Sequence, residues 1–330
     1  MRILTSEPIA QSPTWRSQTE FLALSAEEDG DRWRLPRAVR NTIALAWAAR
    51  SSDIVILTDV HGVSGNLFSM LLRLWPGRPT IIRADALFAL PSRGPLRALK
   101  RMYIRAAMAG VDLMVVWSPA VVDRYCTILG LPRRKFASVR FHHTLTGFDV
   151  DRVIQGNYVF SGGDSMRDYP TLLQAVCGLE VPVVIAARRP LPTSVTVPPN
   201  VTIRATSEQE FRELMVGALL VVFPLRIGEL RTSGQQSYLN AMALGKAVVV
   251  TDTVDAPFYV EDGRTGQLTP SGDALALRRT IMHLLAHPEK ISALGEAARR
   301  AASTLDQEHT WTRVLTLAEA THRARGKPTR

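Results

Sequence analysis

The chain has 330 residues, 46% hydrophobic and 21% charged, enough for about two domains with separate cores and too apolar for a disordered polymer. Its net charge of +10 is uneven: residues 1–150 hold 20 Lys/Arg against 12 Asp/Glu, and residues 151–330 hold 20 against 18. No zinc spacing and no RNA- or DNA-binding motif accompanies that surplus, which excludes nucleic acid as the expected partner, and the two distant cysteines, Cys126 and Cys177, exclude a disulfide scaffold.

The opening residues MRILTSEP give a short apolar run broken at Pro8, which suits a first parallel strand and contains no secretory core. No apolar run approaches the roughly 18 to 20 residues of a membrane span. The expectation is therefore a cytoplasmic protein, either free or held on the inner face of a membrane. Residues 11–36 are polar and mixed, with no clear element. Leu35–Arg50 has apolar residues at helical spacing, Val39, Ile43, Leu45 and Trp47 among them. Asp53–Gly62 reads as a buried strand with Asp59 and His61 at its carboxyl end, where ligands sit in open α/β sheets. His61 is equally consistent with a satisfied loop histidine.

An apolar helix closed by Pro76-Gly77 follows, then a strand at Thr80–Arg83 with Asp85 just beyond it. In the segment 91–110, Arg93, Arg97, Lys100, Arg101 and Arg105 surround Leu96, Leu99, Met102 and Tyr103. Such a helix can lie on anionic lipid, or it can be a solvated helix with one face on the core; both readings stay open. A strand (Val111–Ser118), a helix and a further strand entering a linker complete the first half, which alternates as a parallel sheet wound on both faces does.

The polar, glycine-bounded stretch Leu145–Gly156 marks the domain boundary, after which the alternation resumes. Asn157–Gly163 is a strand ending in Gly162 and Gly163. Ser207 with Glu210 forms a capping box before a helix, and two helices and a tail helix close the chain. The organising stretch runs from Phe223 to Asp252, where the strand LLVVFP leads through a loop to TSGQQ, and a helix follows. Thr232 or Ser233 is placed to cap that helix, and Gly234 lacks the Cβ that would hold a ligand off the backbone. Unpaired N–H groups and the positive end of the dipole make its first turn suited to a phosphate. An ordinary strand–loop–helix unit with a packing glycine would have the same spacing.

Taken in order, SGGDSMRDYPTLLQA, VVIAARRP, LLVVFPL, SGQQSYLNAMALGKAVVVTD and YVEDGRTGQLTPSGDALAL make the second half similar to the C-terminal domain of family 4-type glycosyltransferases. The resemblance implies the GT-B fold, two Rossmann-like doubly wound parallel-sheet domains facing a cleft. It divides the chain into an acceptor domain (1–148), a linker (149–156), a donor domain (157–308) and a C-terminal helix (309–330) packing back on the first domain. It implies a retaining transferase moving sugar from a nucleotide-sugar donor to a hydroxyl of a glycan, lipid-linked or other glycoconjugate acceptor. Neither a metal nor another cofactor is implied.

For the donor, the resemblance implies Gly162, Gly163, Arg167, Arg188, Ser233, Gly234, Gln235, Gln236 and Asn240. Candidates for the chemistry are Asp59, His61, Asp85 and Glu229, with His142 and His143 at the domain edge. Two departures stand out. The loop GGDSMRDY supplies one cation, Arg167, where the family has a pair, and Asn240 stands where a glutamate commonly holds the ribose. Another GT-B activity, such as sugar-nucleotide epimerisation, and a non-catalytic scaffold remain the alternatives.

Overall fold

The computed structural model describes residues 1–25, 34–58, 62–84, 88, 90, 94–145, 155–191, 195–228 and 233–326. The chain forms two compact units, Met1–Arg140 with Gln307–Arg330, and Phe141–Gly228 with Thr232–Asp306. Each is built on a six-stranded sheet in which every pairing is parallel.

The first sheet contains β1 (Ile3–Thr5), β2 (Thr19–Phe21), β3 (Ile54–Leu57), β4 (Thr80–Ala84), β5 (Leu113–Val116) and β6 (Phe136–Ser138), in the order β2-β1-β3-β4-β5-β6. Strands β3, β4 and β5 are buried at every residue, as parallel strands covered on both faces must be. Helices α1 (Pro13–Gln18), α2 (Arg34–Ala49), α3 (Gly62–Leu72), α4 (Pro95–Ala109) and α5 (Pro119–Leu129) connect them.

Two features of this unit were left open by the sequence. The mixed stretch 11–36 does hold structure, namely α1 and β2. The Ser12 hydroxyl accepts the Trp15 N–H at 3.2 Å, and Pro13 occupies the first turn, where no N–H is needed. Buried Trp15 meets Trp311 of the terminal helix Gln307–Arg325 edge-on, with centroids 4.8 Å apart, and Glu308 accepts hydrogen bonds from Ser12 and Thr14. The second is the direction of α2, whose buried face is Ala38, Leu45 and Ala49, while Val39, Ile43 and Trp47 are exposed.

The second sheet contains β7 (Val159–Gly162), β8 (Val183–Ala186), β9 (Val201–Arg204), β10 (Leu220–Phe223), β11 (Val248–Thr251) and β12 (Gln267–Thr269), in the order β12-β11-β10-β7-β8-β9. Its helices are α6 (Tyr169–Val176), α7 (Glu208–Gly217), α8 (Gln235–Ala243), α9 (Ala274–Leu285) and α10 (Pro288–Ala302); the terminal helix is α11. Side chains alternate across the sheet. Val159, Leu220, Val222 and Val249 join α6 and α9 in one core, and Phe160, Val221, Phe223 and Val250 join α8 and α10 in the other. Burying each such side chain stabilises the fold by about 1.5 to 3 kcal/mol. The order reverses between β7 and β10, so their carboxyl ends part and leave a crevice, the usual ligand position in an open α/β sheet.

Candidate active site

The crevice of the second unit is built by the loops that leave β7 and β10. The β7 loop turns at Gly163, where φ is +101° and a Cβ would stand 2.6 Å from the Arg167 Nη2 atom. Arg167 then folds back under the loop. Its Nε donates to the Gly162 carbonyl at 2.8 Å, Nη1 to the Ser165 carbonyl at 2.9 Å and Nη2 to the Ser237 hydroxyl at 2.8 Å. The guanidinium carbon lies 5.6 Å from the centre of the Phe223 ring, at the end of β10. Burial lowers the Arg167 pKa, yet an arginine begins so high that it keeps its charge. A fixed cation thus sits where the strand order reverses.

Above it stands the first turn of α8. The helix begins at Gln235 with Gly234 at the N-cap position, in a left-handed conformation with φ +91°. The N-cap residue is thus Gly234, which has no side chain to cap with, and not Ser233 as expected; Thr232 lies outside the described residues. The Ser233 hydroxyl instead donates to the Ser165 carbonyl at 3.0 Å, stitching the β7 loop to the α8 entry. A Cβ on Gly234 would approach Leu225 Cδ2 to 2.9 Å and Arg167 Nη1 to 3.4 Å. Only glycine fits both the conformation and the space. Gly234 puts no Cβ over the first turn of α8, whose dipole favours an anion, and Arg167 adds a full charge beside it.

The remaining expected donor residues divide. Gly162 ends β7 against Phe211, and Gln235 is buried at the start of α8. Arg188 is exposed beyond β8, and its backbone N–H, with that of Arg189, donates to Asp164 Oδ1 at 2.9 and 3.0 Å. Asn240 has a protein partner. Its Oδ1 accepts the Thr144 N–H at 2.8 Å, and its Nδ2 donates to the Thr144 hydroxyl at 3.1 Å, where Gln236 Nε2 also arrives at 3.2 Å. The second unit therefore takes in residues 141–145, ahead of the polar stretch at 145–156. A pocket of about 230 Å³ opens beside Gly163, Asp164, Ala187, Arg188, Ser207 and Phe211.

The sequence reading missed Asp164, Ser237 and Thr144. A carboxylate in the same GGDSMRDY loop was a signal for Asp164; nothing in local spacing marked the other two. His142 is buried and stacked on Phe141, and burial pushes its pKa down to about 4. Burial also lowers His143.

In the first unit the strand order reverses between β1 and β3. At their carboxyl ends Thr58 Oγ1 donates to Glu7 Oε2 at 3.1 Å, so Glu7 joins the candidates there. Asp59, His61, Asp85 and Glu229 lie outside the described residues. Among the described residues, no group of three His, Cys, Asp or Glu side chains is placed to hold a metal ion.

Residues 167–287 match the family model described as "Glycosyl transferases group 1". Fold, crevice and match together define the class: a nucleotide-sugar-dependent glycosyltransferase of the GT-B fold. No curated protein matches the sequence. Among solved structures, the chain is similar to the sucrose-phosphate synthase of Thermosynechococcus elongatus, with TM-score 0.71 and 16% identity over 93% of this chain and 84% of that one. It is also similar to a glycosyltransferase of Rickettsia africae, with TM-score 0.66 and 13% identity over 97% and 89%. The HepE protein of Anabaena, in complex with UDP, gives TM-score 0.67 and 15% identity over 97% and 100%.

Proposed function

We propose that this chain transfers a sugar, with retention, from a nucleotide sugar to a hydroxyl of a glycan, lipid-linked or other glycoconjugate acceptor of the cell envelope or an exopolysaccharide. The observation that carries this reading is the Arg167 guanidinium fixed beneath the first turn of α8, which opens on Gly234. As the glycosidic bond breaks, negative charge grows on the leaving diphosphate. A cation and backbone amides already held in place lower the energy of that state without reorganising. Arg188 adds a second, exposed cation at the neighbouring strand end. In this reading Ser233, Gly234, Gln235 and Gln236 contact the diphosphate, and no metal shares the task. The pocket beside Asp164 and Phe211 takes the base or ribose. The acceptor belongs to the first unit, where Glu7 joins Asp59, His61 and Asp85 as candidate acid–base groups.

HepE has been solved with UDP and with UDP-glucose, which makes uridine-diphosphate sugars the first donors to try. Titration calorimetry against UDP-, GDP-, ADP- and dTDP-sugars tests the reading; binding of none of them refutes it. A second reading, a GT-B scaffold that binds donor weakly without turnover, is favoured by one observation: Asn240 is already bonded to Thr144 where a ribose partner is expected. Product analysis separates the readings and also detects an epimerase, which converts free donor without acceptor.

A further inference from the structure

Helix α3 packs between α2 and α4, and the outer surface of this group is unusually apolar for one that faces water. On α2, Leu35, Val39, Ile43 and Trp47 recur every four residues and form a stripe, with Trp47 70% exposed. The end of α3 and its following turn add Leu71, Leu74 and Trp75, with Leu74 85% exposed. The Arg50 guanidinium lies 4.7 Å from the Trp47 ring centre and 5.6 Å from that of Trp75, so these two clusters are one surface. On α4, Leu96, Leu99 and Met102 are exposed, while Ile104, Ala107 and Met108 hold the helix to the core.

The charge on the same three elements has one sign. Residues 34–50, 62–78 and 95–109 contain ten Lys/Arg and no Asp or Glu. We propose that the outer face of α2, α3 and α4 is a docking surface for an anionic lipid bilayer, with the apolar stripes entering the headgroup–acyl boundary and the cations meeting lipid phosphates. A second copy of the chain fits this face poorly, because a two-fold contact sets each patch against itself and brings like charges together. Tryptophans held under an arginine suit an interface whose one side is apolar and whose other side is wet and charged. No helix among the described residues is long and apolar enough to cross a membrane, so attachment here is from one side. The surface belongs to the first unit alone and does not depend on the reading of the donor crevice.

The test is flotation of the whole chain with phosphatidylglycerol vesicles and with phosphatidylcholine vesicles, at low and high salt. Co-flotation with the anionic vesicles only, reversed by salt, is expected. Lys100→Glu with Arg101→Glu should lower the partition coefficient by about tenfold or more. Ile43→Ser with Trp47→Ser should lower it about tenfold. All four side chains are exposed, so both variants should melt with the wild type, and UDP titration should be unchanged in both. Absence of co-flotation at low salt, or equal flotation with both vesicle types, overturns the proposal. So does a concentration-dependent dimer that the Ile43 and Trp47 substitutions abolish, which would give the face to a second copy.

Discussion

Replacing Arg167 by Ala tests the crevice most directly, because burial makes two separate demands on that side chain. The guanidinium braces the Gly162 carbonyl, the Ser165 carbonyl and the Ser237 hydroxyl. The Ser165 carbonyl keeps its bond from Ser233 in the variant, so the main loss falls at Gly162 and Ser237. A stranded buried polar group costs about 1 to 3 kcal/mol, and the total should be about 2 to 4 kcal/mol with the lost packing. A domain stable by about 5 to 15 kcal/mol stays folded, but not unaltered, and a purely local effect on binding is not expected. For the donor, removing one charged donor near the diphosphate should cost about 1.5 to 3 kcal/mol, or about 10- to 100-fold in affinity. Urea unfolding and UDP titration calorimetry measure the two effects on one sample. Ser237→Ala is the control: it releases one bond and keeps the charge, so stability should fall by about 1 kcal/mol with little loss of affinity. Lower stability of the Arg167 variant with unchanged UDP affinity would show that the guanidinium only braces the loop.

Gly234→Ala should destabilise by about 1 to 3 kcal/mol and weaken UDP binding, since the left-handed backbone and the approach to Leu225 both resist a Cβ; chemical denaturation and calorimetry read the two. Asn240→Ala should cost about 1 to 2 kcal/mol by stranding the Thr144 N–H, whereas Asn240→Asp should keep that bond, and urea midpoints distinguish them. His142 binds its proton less readily in the folded chain, near pH 4 against about 6.5 unfolded. As pH falls through that window the unfolded chain takes up a proton the folded one refuses, so stability should drop by about 3 kcal/mol in total. His142→Asn should flatten that part of a stability–pH curve; an unchanged slope would mean another group titrates there. Chelation by EDTA should leave transfer to any identified acceptor unchanged, and loss of activity restored by a divalent cation would contradict the proposed role of Arg167.

The sequence by itself determined most of the elements, because their causes are local, though not α1 and β2. Apolar runs such as IVIL, LMVV and VVVT are strands in any fold that covers both faces of a parallel sheet. Ser207 accepts the Glu210 N–H three residues on, as its spacing predicts. Gly234 was legible as a site candidate for the same reason, a helix start that follows a strand, whereas Gly163 and Arg167 were legible through the resemblance of the GGDSMRDY loop.

Tertiary structure decided the partners. Arg167 meets Ser237 across 70 positions, and Asn240 meets Thr144 across 96, distances over which no periodicity carries information. The α8 entry went the same way, because the Ser233 hydroxyl found the Ser165 carbonyl and the N-cap position fell to Gly234. On α2 the spacing of Val39, Ile43 and Trp47 gave a helix face but not its direction. A stripe reads alike whether it faces a core or solvent, and only the burial of Ala38, Leu45 and Ala49 in the folded unit settles which side water touches.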